Sequence, residues 1–82
     1  MYYVYVLRSL KDHHFYVGFT TDLEGRIMAH NLGKVFSTRF RRPLELVYYE
    51  ASQKQSDALR REKYLKSTYG KRYIKSRIRD DL

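Results

Sequence analysis

From Tyr2 to Arg8 the chain is an almost unbroken run of aromatic and β-branched residues, and His14 to Thr20 is a second such run. The polar stretch Ser9-Leu10-Lys11-Asp12-His13 joins them, so the pattern predicts a β-hairpin. Strand side chains alternate between faces. Tyr3, Tyr5 and Leu7 therefore belong on one face and Tyr2, Val4 and Val6 on the other, while Tyr16 and Gly18 share a face in the second strand. The period then changes to helical. Thr21 or Asp22 supplies an N-cap before Leu23, and the helix is expected to run to about Asn31, with Gly33 as its C-cap glycine. Lys34 to Arg42 reads as a loop or short turn ahead of the single proline, Pro43, and Leu44 to Tyr49 as a third strand. Ser56 is the expected N-cap of a helix from Asp57 to about Thr68, broken at Gly70. The tail, Lys71 to Leu82, either adds a short basic helix that lays Tyr73, Ile74 and Ile78 on the body, or frays. The order is β-β-α-β-α with a C-terminal helix left open, an α/β chain of the α+β kind with no repeat or linker.

Two helices carry polar groups where the pattern asks for apolar ones. On a wheel begun at Ala58, Glu62 falls at about 40°, inside the arc of Leu59 (about 100°), Leu65 (about 340°) and Tyr69 (about 20°). A carboxylate in that arc needs a cation, a metal or hydrogen-bond donors, because an unpaired buried charge is too costly to keep. Pairing with a nearby Arg or Lys is the ordinary solution, a functional site the rarer one. In the first helix, counted from Leu23, Ile27 falls at about 40°, His30 at about 340°, Asn31 at about 80° and Arg26 at about 300°. Arg26 and His30 are four apart and so adjacent on one side. A core histidine bonded to backbone and an arginine stem lying over apolar surface are the ordinary account of them, a functional site the rarer one. Gly18 adds a third irregularity, since glycine inside a strand marks a bulge or a close approach.

Composition narrows the class. Eighty-two residues make one domain, spanning 1–82, and any site must share residues with its core. The chain has no cysteine, which excludes disulfides and thiolate metal sites. Nine tyrosines and four phenylalanines supply much of the packing area. A net charge of +8 favours polyanionic partners, nucleic acid foremost. No stretch approaches the roughly 20 apolar residues that span a bilayer, and the start lacks the pattern of a secretion signal, so a cytoplasmic protein without membrane partners is expected.

Taken in order, Tyr3-Val4-Tyr5, Tyr16-Val17-Gly18, Arg26, His30-Asn31 and Glu62 resemble the motif set of the GIY-YIG nuclease family over almost the whole chain. The segments Tyr16 to Leu23, the basic stretch before Pro43 to Tyr48, and Ala58 to Glu62 with Lys66 are most similar to its small stand-alone, UPF0213-like members. Tyr3 stands where the first motif has glycine, and Val4 and Val17 where both motifs have isoleucine. The resemblance implies a three-stranded sheet flanked by helices and cleavage of a phosphodiester with one divalent ion, Mg²⁺ or Mn²⁺. It implies that Glu62 ligates the metal, that Arg26 neutralises phosphate charge, that Tyr5 and Tyr16 position or activate water, with Tyr16 the favoured base, and that His30 contacts phosphate or water. Glu and Arg suit those tasks: carboxylate oxygens are hard ligands for Mg²⁺, and the guanidinium fork binds two phosphate oxygens at once.

Three functions are compatible with this reading. The first is an endonuclease, acting on DNA rather than RNA, that grips phosphates through Arg39, Arg41, Arg42 and Lys66. The second is a non-catalytic nucleic-acid-binding module of the same fold, with tyrosines stacking on unpaired bases. The third is a protein-interaction domain whose charge is solvated surface. The sequence does not decide the oligomeric state.

Overall fold

The computed structural model describes residues 1–78; the end of the expected tail, 79–82, lies outside the described residues. The elements are β1 (Tyr2–Ser9), β2 (Phe15–Thr20), α1 (Leu23–Asn31), β3 (Leu44–Ser52), α2 (Gln55–Leu65) and α3 (Thr68–Arg77). They form one three-stranded antiparallel sheet in the order β2-β1-β3, with helices on both faces. This is the α+β architecture that the resemblance implies.

β1 is central and covered on both sides, which explains why its middle reads as a continuous apolar run: Val4, Tyr5, Val6 and Leu7 are all fully buried. On one face Val4, Val6 and Val17 pack against Ala58 and Leu65 of α2 and Ile74 of α3, together with Ile78. On the other, Tyr5, Leu7 and Leu44 meet Tyr16, Leu46, and Leu23 and Ile27 of α1. The strand alternation assigned from sequence therefore holds. Tyr5 pairs with Gly18 and Leu7 with Tyr16, so these four share the face that α1 covers.

Of the two candidate caps for α1, Asp22 is the one used; its carboxylate accepts from the Gly25 N–H at 3.1 Å. Three expected boundaries are corrected. β3 continues to Ser52 because Ala51 and Ser52 still have backbone partners in Tyr3 and Tyr2, even though the side-chain pattern has turned polar. α2 starts two residues early, behind Lys54 with no side-chain cap, so Ser56 sits inside its first turn. The same helix stops at Leu65 rather than Thr68. There Ser67 opens α3 by accepting from the Gly70 N–H at 3.2 Å. Gly70 is thus not a breaker between helix and tail but part of the first turn of α3. A β-carbon there would overlap the Tyr64 carbonyl oxygen and Leu65 Cα, so its lack of a side chain lets α3 fold back closely on α2. The tail forms a helix over its described part, with Tyr73 and Ile74 on the core as expected, together with Ile78 at its C-cap.

Candidate active site

The face under α1 holds a hydrogen-bonded chain that runs from the core to the surface. Tyr5, fully buried on the central strand, points at α1, and its hydroxyl lies 2.8 Å from His30 Nε2. Its position depends on Gly18 directly opposite, where a β-carbon would overlap Cζ and the hydroxyl oxygen of the Tyr5 ring. His30, also fully buried, continues the chain from Nδ1 to the Thr38 hydroxyl at 2.7 Å. Arg26, one turn before His30, donates from Nε to the Tyr5 hydroxyl oxygen at 3.4 Å while the residue as a whole is exposed. The Tyr16 ring stands edge-on to His30 at 5.0 Å and tilted to Tyr5 at 6.3 Å.

A guanidinium only donates, so the Tyr5 oxygen accepts from Arg26; a neutral imidazole donates from one ring nitrogen and accepts at the other, so His30 links Tyr5 to Thr38 in either tautomer. Burial, with the Arg26 charge beside it, pushes the His30 pKa down to about 4, so the ring is neutral at neutral pH. Burial raises the Tyr5 pKa, against the opposing pull of the Arg26 hydrogen bond, so this phenol keeps its proton. The Tyr5 contact in turn raises the Arg26 pKa, keeping it cationic. Tyr5 is therefore a neutral phenol held between His30 and Arg26, with Tyr16 beside it.

Glu62 comes from α2. Its side chain is 21% exposed and ion-pairs with Lys66 one turn on, at 3.3 Å. It shares no hydrogen bond with Tyr5, Tyr16, Arg26 or His30 among the described residues, but its charge contributes to raising the Tyr5 pKa, which puts it in electrostatic reach of the cluster. No group of three or more His, Cys, Asp or Glu comes together among the described residues. A divalent ion at Glu62 would thus draw most of its ligands from water and phosphate, a donor set that fits Mg²⁺. The wheel that placed Glu62 also set Leu59 and Tyr69 beside it; Leu59 is 43% exposed and Tyr69, in α3, is 70% exposed. The buried stripe of α2 is Ala58 and Leu65, with Glu62 at its margin.

The arginines of the 34–42 segment have different surroundings. Arg41 is tied to Asp12 at 2.9 Å and to the His14 carbonyl at 3.1 Å, and it holds the Asp12 carboxyl at about 2, below the usual carboxylate range. Arg39 lies over the rings of Phe36 and Phe40. Arg42 donates from Nε to the Arg39 carbonyl and lays its guanidinium over Gly33. Sequence reasoning missed Thr38, because a threonine in a segment without periodicity gives no signal until its partner is known. It also missed Glu50, which takes a bidentate pair from Arg61 at 2.8 and 2.6 Å and a bond from Tyr48 at 2.6 Å, tying β3 to α2 on the opposite face.

Gly18→Ala is expected to destabilise the protein by about 1–3 kcal/mol in urea unfolding, by forcing the Tyr5 ring away from His30. An unchanged midpoint together with unchanged His30 ring NMR shifts would show that the Tyr5 ring does not depend on this gap.

A sequence profile of the GIY-YIG catalytic domain matches residues 1–75. The UPF0213 protein SH2523 of Staphylococcus haemolyticus is 45% identical over 67 residues, covering 80% of each chain. The UPF0213 protein CPE1444 of Clostridium perfringens is 46% identical over 67 residues, 80% of this chain and 71% of the relative. The solution NMR structure of the UPF0213 protein BH0048 from Bacillus halodurans superposes with a TM-score of 0.57 at 39% identity, covering 93% of this chain and 84% of that one.

Proposed function

The chain belongs to the GIY-YIG family, as a small protein of the UPF0213 type, and on that footing we propose that it is a metal-dependent endonuclease hydrolysing nucleic-acid phosphodiesters, DNA in preference to RNA. The observation that carries this reading is the chain Thr38–His30–Tyr5–Arg26, which fixes a permanent cation at the surface beside Tyr16. Arg26, held by hydrogen bonds to Tyr5 and Tyr16 and otherwise exposed, presents its guanidinium fork to two oxygens of a phosphate. His30 and Tyr5 stay neutral and hold the guanidinium in place, so that charge stabilisation requires no rearrangement as the phosphate becomes pentacoordinate. The Tyr16 phenolate, its own proton first lost to solvent, orients the attacking water and accepts its proton. Glu62 would hold Mg²⁺ or Mn²⁺, which would supply Lewis-acid stabilisation of developing charge. Lys66, paired with Glu62 at 3.3 Å, places a second cation beside that carboxylate, where it would meet phosphate. Arg39 and Arg42 add backbone contacts, with Arg41 bracing the segment that carries them.

A tyrosine takes a proton from water only as its phenolate, so the cleavage rate is expected to climb with rising pH. Tyr16→Phe is expected to slow single-turnover cleavage about a hundredfold and to flatten that climb. A Tyr16→Phe enzyme with wild-type rate and slope would remove Tyr16 from the chemistry.

A further inference from the structure

The segment between α1 and β3 does something its composition does not require. It buries Val35 and Thr38 and turns outward its largest apolar side chains, Phe36 at 79% and Phe40 at 72% exposure. The backbone that presents them is pinned at many points. Thr38 N–H donates to the Val35 carbonyl at 3.2 Å and Arg41 N–H to the Thr38 carbonyl at 2.9 Å. The Ser9 hydroxyl donates to the Arg41 carbonyl at 2.6 Å and Lys11 Nζ to the Phe40 carbonyl at 3.1 Å. Asn31 at the end of α1 clasps both backbone groups of Leu44 at the start of β3, which closes the segment at its base. Arg39 lies with its guanidinium carbon 4.6 Å from each ring centroid, so the two phenyls share one cation at their junction.

Exposed phenyl rings held by a pinned backbone mark a contact surface, since a collapsing loop would bury them. The charge identifies the partner. A surface whose rings share an arginine, on a chain of net charge +8, is repelled by a second copy of itself and attracted to a polyanion that also offers flat apolar faces. Unpaired nucleobases are such faces, whereas the bases of a continuous duplex are stacked on one another and unavailable. The location gives the contact a purpose. Thr38, between the two phenylalanines in the chain, is the residue bonded to His30, so the rings stand on the same short segment that completes the Tyr5–His30–Arg26 chain.

We propose that Phe36 and Phe40, joined by Arg39, form a stacking platform for unpaired bases adjacent to the cleavage site, and that the substrate class is nucleic acid with a single-stranded segment beside the scissile bond. This rests on the nuclease reading above for its substrate but not for its binding chemistry. A base stacks on the outward face of each ring, Arg39 meets the phosphate between stacked nucleotides, and the strand passes Arg26 as it leaves the platform.

The test is binding without metal, in chelator, of a labelled oligothymidylate and of a hairpin duplex of matched length. Wild type is expected to favour the single strand by tenfold or more. Phe36→Ala with Phe40→Ala should cost about tenfold per ring on the single strand and leave duplex binding unchanged. In Phe36→Trp, affinity should persist and tryptophan emission should be quenched by oligothymidylate and not by the hairpin. Equal affinities for both probes in wild type, equal losses on both in the double variant, or an unquenched tryptophan would overturn the platform. So would a wild-type dimer in sedimentation that the double variant abolishes, which would assign the rings to a protein interface. The two readings fail separately. Quenching and strand preference without cleavage in Mg²⁺ or Mn²⁺ would sink the nuclease and keep the platform, and full cleavage of every substrate by the double variant would do the reverse.

Discussion

Glu62→Gln is expected to lower metal-supported cleavage about a thousandfold or more while leaving the fold and nucleic-acid affinity close to wild type. Glutamine keeps the shape of the side chain and removes the charge that would hold the ion, and losing several kcal/mol of transition-state stabilisation corresponds to that loss in rate. Little stability is at stake, because the Lys66 partner is 57% exposed and exposed pairs contribute at most about 1 kcal/mol. Added Mn²⁺ should accordingly raise the thermal midpoint of the wild type and not that of the variant, since an ion that binds only the native state stabilises it. Cleavage by Glu62→Gln within tenfold of wild type would remove this residue from the metal site.

His30 carries the second large effect, in stability. The ring is fully buried and its pKa sits at about 4, against an ordinary value of 6.5. Between these values the unfolded chain takes up a proton that the folded chain refuses, so stability falls as the pH drops from about 6.5 to about 4 and is unaffected by this group above that window. The expected loss is about 3 kcal/mol across it. Glu50, whose pKa is lowered chiefly by its Arg61 bond, and Asp12 also lose their contribution as pH falls, but only as carboxylates begin to protonate. His30→Gln separates the terms: it should be less stable than wild type at pH 7 and should show a flatter decline between pH 6.5 and 4. Parallel declines in urea unfolding would mean that His30 is already free to protonate in the folded state.

Much of this site was legible because its residues break rules. Arg26, His30 and Glu62 each interrupt an apolar arc, and Gly18 interrupts a strand; three of these prove to touch or frame Tyr5 directly, and the fourth acts on it through charge. The hairpin was legible for the opposite reason, since a central strand covered on both faces writes its burial straight into the sequence. What stayed hidden depends on partners distant in the chain. Thr38 matters only through His30, the extension of β3 only through Tyr2 and Tyr3, and the role of Gly70 only through the carbonyl of Tyr64. A glycine that permits a close approach and a glycine that ends a helix look alike in one dimension. Phe36 and Phe40 were passed over because a segment without periodicity offers no face on which to judge them.

The central claim is that the Arg26-bearing cluster and Glu62 cut a phosphodiester, and strand cleavage by the purified wild-type protein tests it most directly. Single-stranded, duplex and branched DNA, and RNA, would be incubated with Mg²⁺ or Mn²⁺ and in chelator, with Arg26→Ala alongside. Metal-dependent strand breaks that vanish in chelator and in Arg26→Ala are the predicted result. Salt-sensitive binding with no strand breaks on any substrate in either metal would contradict it and leave a nucleic-acid-binding module built on the same fold.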